Sequence, residues 1–375
     1  MTLLAVYLCL QARPANAVEP IWRIAGTLAC LGGIGIFHPL MAIYATGWVL
    51  LVLAAGEPGR RRFYATSALG FLALLLGAAV RFSQRHGIET ADHNMAVLTR
   101  SYYFLSRWAW YEQVGLIAPL MLGGLYCGWR GSWGWERGRD VSWKRDWLRE
   151  NRPDVTLAYA TVALGILSTT VCLVFATPGS RSHLVAMLQP MRPLIFVYYS
   201  MFLLLGGLLG GYVLRRAAWR WMVLAGVLGT TMYFVQRSTY PASAQVELPG
   251  VLQKNPWIEA FLWIKANTAV DAVVAMDAHY IQAEGEDAQG FRGIAERSSL
   301  ADFSKDGGSS SIFPQLASKW MVEHTAQMDL SRMDDAERRR RLEPLGVHWL
   351  VLQRAATTEL ECPYRNAMVE VCRLP

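Results

Sequence analysis

Apolar and polar positions along this chain follow two patterns that meet near Gln236. Before that point long runs with almost no charge recur: Ile21 to Phe37, Leu40 to Ala55, Phe63 to Val80, Val114 to Trp129, Val155 to Ala176, Leu194 to Leu214 and Trp219 to Gln236. The clearest is LIFVYYSMFLLLGGLLGGYVL, Leu194 to Leu214, which contains no charged residue. A helix of that length rises ~31 Å, the hydrocarbon thickness of a bilayer. The pattern predicts about seven membrane spans. Within the Leu194 run, Gly206 with Gly210 and Gly207 with Gly211 form small-xxx-small pairs, which predicts one face able to approach a neighbouring helix closely.

After Arg237 the pattern changes to short apolar runs between turn residues and charges, as in a soluble domain. Asn255-Pro256 is a helix start, and Trp257, Phe261 and Ile264 follow at helical spacing. AVVAM (Ala272 to Met276) and VHWLVL (Val347 to Leu352) suit buried strands, and helices are expected at Ile312 to Thr325 and Asp334 to Leu345. The tail ECPYRNAMVEVCRLP predicts a closing hairpin with its turn near Arg365 to Ala367, which sets Cys362 opposite Cys372. The expected fold is therefore an α-helical polytopic membrane bundle over residues 1–236, followed by a small extracytoplasmic α/β domain over 237–375.

Charge sets the orientation. The chain holds 375 residues with 53% hydrophobic and 17% charged content and a net charge of +7. Its basic residues gather in short loops at Arg60 to Arg62, between Arg130 and Asp154, and at Arg215, Arg216 and Arg220. That distribution reads as positive-inside topology in a bacterial cytoplasmic membrane and not as a nucleic-acid surface. With those clusters inside, the C-terminal domain lies outside. His38-Pro39 suits a tight turn between two spans, with His38 as an interfacial group. Met1 to Leu10 is too short to cross. Despite Ala-Asn-Ala near position 16 it reads as the end of a span begun upstream, because no positive residue precedes it as a signal peptide requires.

Of six cysteines, Cys9, Cys30, Cys127 and Cys172 lie in or beside apolar runs, as small core residues do. Cys362 and Cys372 lie in a polar tail, where an extracytoplasmic location favours a disulfide and an internal one would leave two thiols.

The spans carry few groups able to do chemistry. Arg23, His38 and Glu112 sit near expected interfaces, which disfavours a proton pump or ion-coupled transporter. No Walker loop, HExxH or GxSxG occurs. In one outer loop Arg181, His183 and Arg192 suit an anionic head group such as a lipid-linked phosphate, or else are cations snorkelling to bulk lipid. In the other, His86, Glu89, Asp92 and His93 offer acid, base or metal-type side chains without a defined ligand spacing, as an ordinary solvated loop also would. In the C-terminal domain Asp277 and His279 follow a strand, and Glu284, Glu286 and Asp287 add carboxylates. Arg292, Arg297 and Asp302 either join that site or hold an irregular loop by ion pairing.

Four stretches carry a family likeness: FHPLMAIY, LQPMRPLIFVYYSMFLLLGGLLG, NPWIEAFLWIKANTAVDAVVAMDAHY and GFRGIAERSSLAD. With the order of spans and then an outer α/β domain, they resemble polytopic glycosyltransferases of the GT-C class. The resemblance implies transfer of sugar from a polyprenyl-phosphate donor to an acceptor outside the membrane. An acidic side chain would act as base, with cationic groups and a divalent metal at the departing phosphate. It matches Arg192 to a donor-phosphate role. In that class the catalytic carboxylate lies in the first outer loop after the first span; this chain presents no such position, so no catalytic residue is carried over. The expectation is the C-terminal part of such an enzyme with N-terminal spans missing. The other class of reading is a non-enzymatic membrane-anchored module whose outer domain binds glycan or protein.

Overall fold

The computed structural model describes residues 1–10, 21–86, 89–136, 152–241, 255–283, 285–286 and 290–375. The Ala-Asn-Ala segment, the basic residues Arg137, Arg139, Lys144, Arg145 and Arg149, and Glu284 and Asp287 lie outside them. The chain divides into two compact units, Met1–Glu89 with Ser101–Arg216, and Thr90–Arg100 with Ala217–Pro375.

The first unit is helical. Its helices are α1 (Thr2–Leu10), α2 (Ile21–Phe37), α3 (Pro39–Gly56) and α4 (Arg61–His86), and, beyond α5 (Ala91–Leu98) of the second unit, α6 (Trp110–Glu136), α7 (Pro153–Phe175), α8 (Leu184–Met187) and α9 (Leu194–Leu208). The last turns of the α9 run widen into a π-helix at Leu209–Leu214. His38 ends α2 and caps α3: its Nδ1 accepts the Met41 amide, and Pro39 occupies the first turn, where its missing N–H costs nothing.

The architecture is that of a helical membrane protein. Among the described residues four helices are long and apolar enough to cross a bilayer: Pro39–Gly56, Arg61–Arg81, Pro153–Phe175 and Leu194–Leu214. The count of seven is thus not met. The Ile21–Phe37 helix has only 17 residues. Helix α6 is long, but Glu112, Gln113 and Pro119 interrupt its apolar character, and α10 (Ala218–Thr239) carries Arg220, Gln236 and Arg237 with several threonines and glycines.

The core of this unit is built on Trp48 of α3. Its ring stacks on Phe196 at 4.9 Å and 7°, and its indole N–H donates to Thr161 Oγ1 at 3.3 Å. Thr161 in turn donates to Ser200 at 3.1 Å, so this buried polar chain is satisfied. Close helix contact occurs at α6 and α7: a Cβ on Gly165 would fall 2.3 Å from Leu120, and one on Gly123 2.7 Å from Val162. The glycines of the Leu194 run do not serve this purpose, since a Cβ at Gly206, Gly207 or Gly211 would meet nothing within 4 Å.

The second unit holds α10 and an α/β domain. Its elements are α11 (Pro256–Asn267), β1 (Val273–Met276), α12 (Phe291–Ala295), β2 (Ser298–Ser299), α13 (Lys305–Ile312), α14 (Ala317–Ala326), α15 (Asp335–Leu342), β3 (Trp349–Gln353), β4 (Tyr364–Arg365) and β5 (Val369–Arg373). The sheet order is β2-β1-β3-β5-β4, with β2, β1 and β3 parallel and β5 antiparallel to both β3 and β4. Asn255 caps α11 by accepting the amides of Trp257 and Ile258. Trp257, Phe261 and Ile264, the predicted face, pack with β1 and β5 around Phe291. The other core joins Leu330, Leu342, Leu350, Leu352 and Cys372. Cys362 and Cys372 form a disulfide across the terminal hairpin. Helix α5 belongs to this unit through α13 and α14.

Candidate functional site

Among the described residues of the first unit an apolar groove lies among α3, α4, α7 and the chain between α8 and α9. It opens as a cavity of about 370 Å³ lined by Leu40, Ile43, Tyr44, Leu72, Leu75, Leu76, Ala78, Ala79, Val171, Leu184, Leu188 and Pro190. A further space of about 90 Å³ shares Ile43, Tyr44, Leu72, Leu75, Val171 and Pro190 with it and extends to Gly47, Ala68 and Pro193. Sequence explains the lane. Gly47 on α3 and Ala68, Ala78 and Ala79 on α4 are too small to fill the space between helices lined otherwise by leucine.

Its mouth is built by a strained turn. Gln189 adopts φ of 53°, the left-handed region that non-glycine residues rarely enter. The Tyr44 hydroxyl holds that turn by donating to the carbonyls of Leu188 and Gln189. The turn then closes through the Arg192 amide on Gln189 O at 2.8 Å. Arg192 itself is exposed, between two prolines that both line the groove, and lies within electrostatic reach of Tyr44. Arg192 is thus a cation close in sequence to two prolines that line an apolar lane, an arrangement suited to an anionic amphiphile.

The other two cations of that loop behave differently. Arg181 is exposed. His183 is 2% exposed and fully engaged: its Nδ1 meets Glu89 Oε2 at 2.8 Å, its Nε2 meets the Pro178 carbonyl at 3.2 Å, and its amide donates to Glu89 Oε1 at 2.7 Å. Phe104 presents an edge to the ring at 5.7 Å. With an acceptor at each nitrogen the imidazolium is favoured. The hydrogen bond to Glu89, outweighing burial, raises the His183 pKa above its ordinary value. His183 is therefore a clamp between two loops and has no ring nitrogen to offer a phosphate.

A pH dependence follows. Because the folded pKa exceeds the unfolded one, the clamp stabilises fully below the unfolded pKa of ~6.5 and is lost as pH rises through the raised folded value. Thermal unfolding of the full chain in detergent should show wild type losing stability relative to Glu89→Gln as pH increases from ~6 upward. Parallel curves for the two proteins would remove the clamp from the account.

The described groups of the other loop are divided between the two units. Glu89 joins His183 in the first unit, whereas His93 is buried in the second, its Nε2 at 3.1 Å from the Ser311 carbonyl. Asp92 is half-buried on α5, and the His86 side chain lies outside the described residues.

In the α/β domain, Asp277 caps the end of β1, accepting the amides of His279 at 2.9 Å and Leu330 at 3.1 Å. The His279 ring lies against Phe303, with centroids 4.3 Å apart. Glu286 is buried and is not among the residues lining the cavity beside Asp277 and His279. Arg292 and Arg297 do not join Asp277. Arg292 makes a two-pronged bond to Asp306 at 2.8 and 2.7 Å and donates to Ser299 and Leu300 carbonyls. Asp302 lies beside Asp306 and is pushed up by burial, while the Arg292 guanidinium holds Asp306 below its usual range. Arg297 donates to the carbonyls of Lys265, Thr268 and Glu296, pinning the end of α11 to β2. Both arginines hold irregular backbone.

No protein-family model and no curated protein matches this chain. The function must therefore be argued from the residues.

Among the described residues, the divalent metal implied by the GT-C resemblance meets no suitable donor set. Among the described residues one trio of liganding groups converges, Cys362, Glu370 and Cys372, and its two sulfurs are bonded to each other. Hard cations take several oxygens, so that set does not fit, and no step is routed through a metal.

Proposed function

We propose that this chain is the lipid-binding part of a GT-C-like membrane glycosyltransferase. The groove among α3, α4 and α7 takes the isoprenoid tail of a polyprenyl-phosphate sugar donor, and Arg192 faces its phosphate. The observation that carries this reading is an apolar lane of about 370 Å³ lined in part by the turn that Tyr44 holds, with the exposed Arg192 in that same turn. Apolar walls supply affinity in proportion to the chain they remove from water, and the cation selects a charged head group. In this reading α6 and α10 also cross despite their polar residues, the basic clusters at Arg60 and Arg215 face the cytoplasm of a bacterial cell, and the Gln189 turn faces outward. The α/β domain is extracytoplasmic, in keeping with its disulfide.

One observation favours a second reading, in which the chain binds lipid or glycan without transferring sugar. Glu89, the carboxylate brought to the 177–193 loop, has both oxygens committed to His183. A base in that state does not abstract a proton. No catalytic residue is assigned on either reading.

The test uses the full chain in nanodiscs with a photoreactive polyprenyl phosphate. Crosslinks are expected on α3 and α4, abolished by Leu72→Trp, which fills the lane. Arg192→Ala should weaken capture of the phosphate ~10-fold or more and leave capture of the corresponding polyprenol unchanged, since a charge-assisted bond contributes ~1.5–3 kcal/mol. Equal capture of phosphate and alcohol by wild type would reject the head-group assignment. Consumption of a polyprenyl-phosphate sugar by the same preparation would favour transfer over binding alone.

A further inference from the structure

The α/β domain contains a second cavity, of about 330 Å³, wholly separate in composition from the lipid groove. That volume lies at the lower end of the ~300–1,000 Å³ of small-ligand sites. Its position follows from topology. From β1 the chain passes to β2 on one side, then crosses to β3 on the other, so strand order reverses between β1 and β3. Crevices beyond the carboxyl ends of parallel strands at such a reversal are where open α/β sheets bind ligands. The cavity is there: Asp277 and His279 follow β1, and Gln353 ends β3.

From the geometry we infer that this cavity binds a neutral saccharide of one or two residues. The charges on its wall argue against an anion, because the one arginine lining it, Arg332, already pairs with Asp329 at 3.5 Å, leaving Asp277 in excess. The remaining polar groups offer donors and acceptors side by side. The side-chain amides of Gln282 and Gln353 make no hydrogen bond among the described residues, and each provides two donors and an acceptor. The Ser331 hydroxyl accepts the Gln353 amide at 3.1 Å, and its own hydrogen remains to be donated. Each Asp277 oxygen has accepted one N–H and retains further lone pairs. A pyranose ring needs that combination, since every hydroxyl both donates and accepts. Trp257 and Tyr280 also line the cavity, with ring centroids 6.5 Å apart, and aromatic surface suits the C–H face of such a ring. Asp329, held at φ of 57°, sits at the rim in a conformation that costs free energy, as backbone at binding sites often does.

The experiment is saturation-transfer NMR on the full chain in nanodiscs, probing glucose, mannose, N-acetylglucosamine, maltose and cellobiose, with glycerol phosphate, whose C–H protons report binding, as the anionic control. At least one sugar is expected to receive saturation, and Gln353→Ala and Gln282→Ala should each weaken it ~10-fold, one good hydrogen bond's worth. Both side chains lie at the pocket wall and outside the two hydrophobic cores, so unchanged thermal unfolding of the variants is expected. Absence of saturation for every sugar, glycerol phosphate binding in place of sugar, or sugar binding unaffected by both substitutions would each overturn the assignment. The lipid groove is untouched by these variants, so failure here and failure of the lipid reading are separately visible.

Discussion

Arg338→Ala is expected to be the most damaging single substitution in the α/β domain. Arg338 is completely buried, although it sits inside the run Arg338 to Arg341 that looks like a solvated face. Its Nε donates to Leu330 O at 3.0 Å, Nη1 to Asp335 Oδ1 at 2.5 Å and Thr357 O at 3.0 Å, and Nη2 to Ser331 O at 3.4 Å. Asp335 in turn accepts from Thr358 and the Glu359 amide, so one guanidinium ties α15 to the segment before it and to the loop after β3. Truncation empties the place of a fully buried guanidinium and takes its hydrogen bonds from three carbonyls and from the half-buried Asp335 carboxylate, which costs ~3–5 kcal/mol, a large part of a typical domain's stability. Thermal unfolding should fall by ~10 °C or more. Arg338→Lys should recover little, because an ammonium lacks the planar fork. Arg339→Ala, at an exposed position one residue on, should be indistinguishable from wild type. Similar melting of the Arg338 and Arg339 variants would show that the guanidinium is not buried as described.

The second large effect is expected at Arg100. This residue lies at the end of α5, yet its guanidinium donates to the carbonyls of Phe303 and Ser304 and packs over the Phe303 ring with 5.9 Å to the centroid. It also bears on one glycine: a Cβ on Gly307 would come within 2.9 Å of Arg100 Nη2 and 3.1 Å of Trp320, so a side chain there would have to displace the guanidinium from its two carbonyls. Hydrogen bonds from a charged donor contribute ~1.5–3 kcal/mol each when buried. Arg100→Ala should therefore release Thr90–Arg100 from the second unit and expose it to protease, with the hairpin carrying the disulfide still protected. Gly307→Ala should do the same through steric conflict. Protection of residues 90–100 unchanged in both variants would contradict the inserted-segment account.

These two arginines mark the limit of what the sequence discloses. Helices α3, α4, α7 and the α9 run were legible because an apolar stretch of 18 to 23 residues has few other uses. Strands β1 and β3 and the terminal hairpin were legible because a short apolar run between turn signals suits a buried strand. Periodicity fails where partners are distant. Nothing local marks Arg100 as belonging with Ser304, or Glu89 with His183, since each pairing closes a long stretch of chain around one contact. Similarly, only the spacing to Leu342, four residues on and buried on the same helical face, separates Arg338 from its exposed neighbours. The span count was overestimated for a related reason: α6 and α10 are helices of adequate length, but polar residues among their apolar ones lower them below the standard of a span. Of the site residues, Arg192 was legible as a cation beside a span. The groove behind it depends on small residues of α3 and α4 facing each other, which only the packing reveals.

Occupancy of that groove by an amphiphile is measured directly by native mass spectrometry of the full chain. Protein released from nanodiscs holding polyprenyl phosphate and polyprenol in equal amounts should retain one phosphate-bearing lipid per chain, lose it with Leu72→Trp, and hold it less well with Arg192→Ala. Equal retention of the two lipids by wild type and by both variants would contradict the central claim.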